Sequence, residues 1–187
     1  MTDTCDILIS GGGIAGLTAA AAFGTAGFKV ICVDPTPPVT DGAAQGADLR
    51  STAMLQPARV LLERAGLWDT LAPFAAPLQV MRIIDAGGAE AEPRVTREFD
   101  ASEISDAPFG WNFPNWLLRR EILAHLAQLE NVDFRAGIST TQLFTRTNTA
   151  KVTLSDGTRV QTQLVIAADG RTSPMRAASG IGIHTQR

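Results

Sequence analysis

Cysteine is scarce in this chain, whose 187 residues include only Cys5 and Cys32. Two cysteines make neither a disulfide framework nor a metal site built from clustered thiols. Cys32 lies inside an apolar run, so we expect it to be a small, reduced core residue. The cytoplasm, or the cytoplasmic face of a membrane, is therefore the expected compartment.

A large charge of one sign and long apolar runs are also missing. The formal net charge of −3 gives no basic footprint for nucleic acid. No apolar stretch approaches the roughly 20 residues of a membrane-spanning helix, and no secretion signal precedes the first apolar run. The apolar fraction of 45% predicts a globular core in one ordinary domain, or in one domain with a small appendage.

The segment from Asp6 to Asp34 carries the clearest pattern. Residues 7–9 are apolar and predict a strand that is buried on both faces of a parallel sheet. Glycines with G-x-G-x-x-G spacing follow, then an alanine-rich helix that is expected to end near Gly27. The candidate phosphate-binding residues at this turn are Gly11, Gly13, Ile14, Ala15 and Gly16.

Each glycine of the motif has a mechanical role. Gly11 allows the tight turn out of the strand, and Gly13 removes a side chain where a pyrophosphate would approach the backbone. Gly16 allows the helix to pack close to the strand. The unpaired N–H groups and the positive end of the helix dipole would then face the phosphates.

Asp34 is placed near the same turn by element lengths alone. A helix of about fourteen residues rises roughly 20 Å, and a strand of about five residues returns roughly 17 Å. The Asp34 carboxylate could accept hydrogen bonds from ribose hydroxyls and would repel a 2′-phosphate, which disfavours an NADP-type ligand here. The segment predicts a site for the ADP half of a dinucleotide; the alternative is a tight turn without a ligand.

A loop then leads to Arg50, which is expected just ahead of a helical pattern that runs through residues 55–66. The Arg50 guanidinium could form a charge-assisted bond to a phosphate or to a cofactor ring. The alternative is a solvated arginine at the end of a loop, which the local sequence favours.

Residues 78–106 have a strand pattern that does not belong to the nucleotide-binding fold predicted for the preceding residues. Residues 78–84 predict a strand closed by Gly87-Gly88, and with the stretch that follows they indicate an antiparallel layer outside the nucleotide fold. Residues 109–116 are rich in aromatic side chains. These side chains could wall a pocket for a flat substrate or pack in a core at a domain junction.

The last third of the chain predicts a helix, a hairpin and a second apolar strand. The helix is expected from Trp116 to about Glu130. Its His125 has no second ligand at metal-binding spacing, and Arg119 and Arg120 are expected to be surface charges, although one could reach toward a cofactor. A hairpin with an Asp-Gly turn is expected within residues 151–160, and an apolar strand over 164–168 leads to Asp169-Gly170. Ser173-Pro174 predicts the start of a short helix.

Four motifs, in residues 11–16, 50–53, 111–118 and 164–176, come in the order found in one enzyme family. Together they resemble the N-terminal half of flavin-dependent aromatic hydroxylases of the para-hydroxybenzoate hydroxylase type. Within that family the chain is most similar to the ubiquinone-biosynthesis hydroxylases that act on 2-octaprenylphenol-type substrates. The resemblance covers nearly the whole chain.

The resemblance implies an α/β fold: a Rossmann-like FAD-binding fold with a parallel sheet, plus a β-hairpin and part of an antiparallel substrate-domain layer. Residues 1–77 and 107–187 would form the discontinuous, incomplete FAD-binding domain, and residues 78–106 would be partial substrate-domain strands. The glycine turn would hold the FAD pyrophosphate, and Asp34 the ADP ribose. The other implied contacts are Arg50 at the pyrophosphate, Asn115 near the flavin, and Asp169 with Gly170 in FAD and NAD(P)H binding.

The sequence also departs from the family. The usual acid at the Asp34 position is glutamate, and a later Gly-Asp motif that holds the flavin's ribityl chain has no match. Family members are considerably longer, so the resemblance implies an N-terminal fragment. Such a fragment would lack part of the flavin site and would expose strand edges and apolar surface.

The implied activity of the whole enzyme is aromatic hydroxylation. NAD(P)H would reduce the flavin, and O₂ would add to give a flavin hydroperoxide that hydroxylates an electron-rich phenol, which the ubiquinone branch implies is isoprenylated. An isoprenylated substrate is consistent with peripheral membrane contact. No side chain of this chain is nominated as catalytic, since the cofactor does the chemistry.

Two alternatives remain open. One is a catalytically incomplete FAD- or dinucleotide-binding module. The other is a different flavoprotein of the same fold, such as a prenyl reductase or a halogenase. A plain NAD dehydrogenase fits less well, because it gives no role to Asp169-Gly170.

Overall fold

The computed structural model describes residues 2–87 and 92–184. The strands in these ranges are β1 (Thr2–Thr4), β2 (Ile7–Ser10), β3 (Val30–Asp34), β4 (Ser51–Leu55), β5 (Ala76–Pro77), β6 (Val80–Asp85), β7 (Val95–Asp100), β8 (Gly110–Pro114), β9 (Val132–Ala136), β10 (Thr140–Thr145), β11 (Ala150–Leu154), β12 (Arg159–Thr162) and β13 (Leu164–Ala167). The helices are α1 (Ile14–Thr25), α2 (Gln56–Arg64), α3 (Trp68–Leu71), α4 (Asn115–Leu126) and α5 (Pro174–Ala178).

A four-stranded parallel sheet forms the centre of the fold, in the order β13-β2-β3-β9. Helix α1 connects β2 to β3, so the two strands and the helix make a βαβ unit. Because all four strands are parallel, their carboxyl ends meet at one edge, where Ser10 lies beside Val33 and Ala167. The predicted α/β fold with a parallel sheet is confirmed.

The apolar run of β2 is buried on both faces, as its composition predicts. Ile7 and Ile9 pack with Leu17 of α1 in the larger core cluster. Leu8, which points to the opposite face, packs with Val152 and other side chains of the second sheet. The parallel sheet is therefore the middle one of three layers.

The second sheet has the order β1-β12-β11-β10. Its β11–β12 hairpin is the predicted one, and Gly157 of the Asp-Gly turn has a φ of +84°. Strand β1, which pairs in parallel with β12, and strand β10 were not predicted. Both depend on partners distant in sequence, which local pattern does not reveal.

The helix expected through residues 55–66 is present as α2, but a strand that was not predicted lies between it and Arg50. Residues 51–55 form β4, which pairs antiparallel with β8, and helix α2 begins only at Gln56. The side chains of β4 alternate between exposed and half-buried, as in a strand with one covered face. Arg50 thus precedes a strand, not a helix.

The aromatic residues of β8 pack in the core. Phe113 is fully buried, and Trp111 stacks edge-on against Trp68 with ring centroids 5.1 Å apart. These contacts support core packing, the second of the two interpretations of residues 109–116. Helix α4, which follows, ends at Leu126, earlier than the expected Glu130.

Strands β6 and β7 pair with each other in a separate two-stranded antiparallel sheet, as predicted for this region. Gly88, which was expected to help close the first of these strands, lies outside the described residues. Apolar side chains from both strands are about half exposed: Val80, Met81, Ile83, Ile84, Val95 and Phe99. No helix in the described ranges is long and apolar enough to cross a membrane.

Candidate cofactor site

The glycine turn lies at the carboxyl end of β2 and is closely packed. Gly11 has a φ of +108°, and its N–H donates to the Val33 carbonyl at 2.8 Å. A methyl group on Gly11 would overlap the backbone of Ala168, and one on Gly16 would overlap the Gly11 carbonyl. Both glycines therefore allow the contacts between strand and helix that the motif predicts.

Gly13, in contrast, borders open space. It is the residue before the first turn of α1, and a methyl group built on it would meet no atom within 4 Å. No side chain caps this end of the helix by a hydrogen bond. The first N–H groups of α1, which include those of Ile14, Ala15 and Gly16, thus have no side-chain acceptor there.

Gly12, which the motif leaves unspecified, is also confined. A Cβ atom on Gly12 would lie 2.8 Å from Asp34 Cβ and 2.9 Å from the Phe134 ring. Phe134 belongs to β9, the neighbour of β3 in the sheet. Sequence reasoning missed Phe134, because its pairing with β3 bridges about a hundred residues of chain.

Asp34 points toward the glycine turn, as element lengths predict. One carboxylate oxygen accepts a hydrogen bond from the Gly12 N–H at 2.6 Å, and the other accepts one from the Thr36 N–H at 2.8 Å. Each carboxylate oxygen can accept a second bond, so the group retains capacity for hydroxyl donors.

Asp169 is held from two sides at the end of β13. Its carboxylate accepts hydrogen bonds from the Ser173 hydroxyl and, at 3.1 Å, from the Met175 N–H. The hydroxyl of Ser10 lies 3.5 Å away and also hydrogen-bonds to the Thr140 hydroxyl at 2.7 Å. Ser173 was predicted as a helix cap, but the roles of Ser10 and Thr140 gave no sequence signal.

A cavity of about 420 Å³ joins these parts. Its lining includes Gly11, Gly13, Asp34, Asp169 and Gly170. A larger cavity of about 600 Å³ lies at the amino end of the same strands, between charged residues such as Asp3 and Lys29. That cavity has neither a glycine turn nor a helix start beside it, so the smaller cavity is the better candidate.

Arg50 and Asn115 meet elsewhere, around Asp48. Two Arg50 nitrogens donate to the Asp48 carboxylate at 2.8 Å, and the Asn115 amide donates at 3.0 Å. These bonds, the Arg50 bonds first, hold the pKa of Asp48 well below its usual range. The Arg50 side chain is 83% exposed. The predicted cofactor contacts of Arg50 and Asn115 stay predictions.

The described residues contain no group of histidine, cysteine or acidic side chains that could hold a metal. His125 lies 3.4 Å from the Thr25 hydroxyl.

Residues 4–187 match the family described as FAD binding domain. The chain belongs to this family of FAD-binding domains. It is 36% identical over 180 residues to ubiquinone hydroxylase UbiL of Rhodospirillum rubrum, covering 96% of this chain and 40% of that protein. It is 28% identical over 181 residues to the 3-demethoxyubiquinol 3-hydroxylase of Escherichia coli, covering 96% of this chain and 44% of that protein.

Solved structures of monooxygenases share the fold of this FAD-binding domain. The p-nitrophenol 4-monooxygenase PnpA from Pseudomonas putida superposes with a TM-score of 0.76 at 21% identity, over 95% of this chain and 44% of that one. The anhydrotetracycline hydroxylase OxyS from Streptomyces rimosus gives 0.78 at 19% identity, over 98% and 35%. The resemblance to ubiquinone hydroxylases and the Rossmann-like FAD-binding fold are thus confirmed. The chain spans less than half the length of these relatives.

The geometry of the FAD-binding domain fits the ADP half of FAD. The open side of Gly13 leaves room for a diphosphate at the start of α1, where unpaired N–H groups favour an anion. Asp34 stands beside the same turn with acceptor capacity for a ribose. Among the described residues, no atom lies within 4 Å of the position that a methyl group on Gly13 would take.

Proposed function

We propose that this FAD-binding domain is the cofactor-binding part of a flavin-dependent monooxygenase that hydroxylates an aromatic ring, in particular that of a ubiquinone precursor. NAD(P)H would be the reductant and O₂ the oxidant. The observation that carries the proposal is the 36% identity to ubiquinone hydroxylase UbiL across 96% of the chain. We further propose a cytoplasmic location with peripheral membrane contact, which suits an isoprenylated substrate.

The residues of the chain would bind and orient the cofactor. The N–H groups at the start of α1 would hold the diphosphate, and the Asp34 carboxylate would accept from the ADP ribose. Asp169, fixed by Ser173 and Met175, would bind at the far side of the same cavity. Arg50 and Asn115 would approach from the Asp48 cluster. Bound FAD supplies the oxygen chemistry: one oxygen atom of O₂ enters the ring, and the other leaves as water.

The exposed β6–β7 hairpin supports the proposed division of the chain. Residues 78–106 would belong to a substrate layer, whereas residues 1–77 and 107–187 would form the FAD-binding domain. Half-exposed apolar residues such as Met81, Ile83 and Phe99 could contact the rest of that layer or an apolar substrate.

The test joins this chain to the remaining carboxyl-terminal part of UbiL. The purified fusion, yellow with bound FAD, is supplied with NADH or NADPH and a panel of short-chain 2-prenylphenols. We expect O₂ consumption and a product heavier by one oxygen atom. A fusion that retains FAD and oxidises NAD(P)H without oxygenating any phenol would contradict the proposal. A Gly13→Ala fusion is the control for dependence on the cofactor site.

A second candidate is a catalytically incomplete FAD-binding module. Coverage of only 40% of UbiL and the open hairpin favour it for the 187 residues alone. The isolated chain would then retain FAD through gel filtration but consume no O₂ with any reductant and phenol. Turnover by the isolated chain would exclude this candidate.

A further inference from the structure

The loop that leaves β3, residues 35–47, forms a strap beside the glycine turn. The strap and the turn together line a second cavity of about 170 Å³, to which the turn contributes Gly12 and Gly13. This volume is below the roughly 300–1,000 Å³ of sites that enclose a small ligand. A dinucleotide that reached this side of Gly13 would therefore require the strap to move outward. The strap residues in the lining are Thr36, Pro37, Pro38, Val39 and Gly46.

The strap has few ties to the body of the domain. Across the described residues, the hydrogen bonds of residues 37–47 join the strap to itself. The Ala43 N–H donates to the Asp41 carboxylate at 2.9 Å, and the Ala44 N–H donates to the Asp41 carbonyl at 3.2 Å. Residues 43–46 are exposed. A segment with exposed residues and few bonds to the body opens at a low cost in free energy.

Both ends of the strap are fixed. At its start, the Thr36 N–H donates to the Asp34 carboxylate at 2.8 Å. Directly after its end, the Asp48 carboxylate accepts from two Arg50 nitrogens, each at 2.8 Å. Opening would therefore be confined to the strap and would leave β3 and β4 in place.

A packing contact holds the middle of the strap. A Cβ atom on Gly42 would lie 2.7 Å from Cε2 and 2.8 Å from Nε1 of the Trp116 indole, which is too close for any side chain. Gly42 is not among the glycines with a positive φ, so its backbone conformation suits other residues as well. The requirement for glycine at this position therefore comes from the contact with Trp116.

The Trp116 indole is a firm anchor for this contact. It is half-buried and packs against the larger core cluster. The guanidinium of Arg120 lies 5.2 Å from the centroid of its ring, which adds a cation–π contact. The position of the strap therefore depends on whether Gly42 packs against this fixed ring.

We propose that the strap is a gate for the cofactor, latched by the contact between Gly42 and Trp116. The closed strap covers one side of the glycine turn, and its opening allows the cofactor to enter and leave. The inference rests on the proposed FAD site at the glycine turn and adds to it the control of cofactor exchange. Gly42 and Trp116 act through the strap and are positioning residues.

Stopped-flow mixing of the 187-residue chain with FAD tests the gate. The dependence of the observed rate on FAD concentration gives both the association and the dissociation rate constants. For Gly42→Val we expect both constants to rise about 3- to 10-fold and Kd to change by less than about threefold, because the latch is lost in free and bound protein alike. Gly42→Ala, with a smaller side chain, should give a smaller rise in both. Ala44→Val, at an exposed position of the same strap, is the matched control and should leave both constants within about twofold.

Hydrogen exchange of the ligand-free protein tests the latch without the cofactor. The amides of residues 43–47 should exchange about 3- to 10-fold faster in Gly42→Val than in wild type or Ala44→Val. The amides of β2, which belong to the core, should exchange equally in all three proteins.

The outcomes separate the gate from the FAD site beneath it. If wild type binds FAD and Gly42→Val leaves both rate constants unchanged, the gate is wrong and the FAD site stands. If dissociation alone becomes faster, the strap is a binding contact, and the gate is again wrong. Faster exchange of the β2 amides in Gly42→Val would show that Gly42 acts on the whole fold, which also overturns the inference. If wild type does not bind FAD, the site and the gate fail together.

Discussion

The parallel sheet and the β6–β7 hairpin both contain apolar strand residues, but these residues lie in opposite environments. In β2, Ile9 packs under helix α1 while Leu8 packs against the second sheet, and both are fully buried. In β6, the consecutive residues Ile83 and Ile84 point to opposite faces, and both are about half exposed. A run of apolar residues therefore does not determine burial; the layers packed on each face determine it.

The difference in burial also means that the two regions should contribute differently to the stability of the fold. The sheet has a complete core, so the glycine turn at its carboxyl edge is fixed by backbone contacts. A two-stranded hairpin that packs little apolar area is marginal by itself. We therefore expect substitutions in the sheet to affect folding, and the same substitutions in the hairpin to leave the folded domain nearly unchanged.

The largest expected effect comes from the same substitution made in both regions. Ile9→Ala should lower the free energy of unfolding by about 2–5 kcal/mol, because it leaves a cavity in a closed core. Ile83→Ala should lower it by less than about 1 kcal/mol, because its side chain is already half in water. Urea unfolding followed by circular dichroism measures both. Equal losses would show that the hairpin is part of the cooperative core.

A second pair compares two glycines. Gly16→Ala should destabilise the fold by about 1–3 kcal/mol, because its methyl group would overlap the Gly11 carbonyl in rigid backbone. Gly87→Ala, beside the hairpin, would crowd the end of the exposed Arg94 side chain, which can move, and would make an ordinary contact with Asp85. The midpoint of urea unfolding should shift for Gly16→Ala alone. A shift for Gly87→Ala of similar size would refute the contrast.

The smallest expected effect concerns thiol chemistry. Burial raises the pKa of Cys32 to about 12 and also raises the pKa of Cys5. Unfolded thiols ionise near pH 8.5, so each buried thiol should cost stability as the pH rises above that value, by up to about 1.4 kcal/mol per pH unit. Below pH 8 the two thiols should have no effect on stability.

The burial of the two thiols can be measured by chemical labelling of the native protein at pH 8. A disulfide reagent should modify an introduced Ile83→Cys thiol quickly and Cys5 and Cys32 only when urea unfolds the chain. Rapid modification of Cys32 in the native protein would mean that β3 opens more readily than its burial implies.

Much of the central fold could be predicted from the sequence because its signals are local. The apolar run of β2, the glycine spacing and the position of Asp34 fix a strand, a turn and a helix over fewer than 30 residues. The cap at Ser173 and the Asp-Gly turn at Gly157 are also local, and both were found.

What the sequence did not reveal depends on pairing at long range. Strand β4 was not predicted, because its partner β8 lies about sixty residues later in the chain. Phe134 beside Gly12 and Thr140 beside Ser10 are brought to the site only when the sheets assemble. Arg119 and Arg120 are adjacent in the sequence and gave the same prediction. The packing of α4 distinguishes them, because Arg119 is largely covered beside Asp48 whereas Arg120 stacks on the Trp116 ring.

The central claim is that a diphosphate lies against Gly13 at the start of α1. Titration of wild type and Gly13→Ala with FAD, each with a thermal unfolding curve, tests it most directly. We predict that wild type binds FAD and that Gly13→Ala unfolds at nearly the same temperature, since its methyl group meets no protein atom, yet binds FAD at least about tenfold more weakly. Undiminished binding of FAD by Gly13→Ala, or no binding by wild type, would contradict the account.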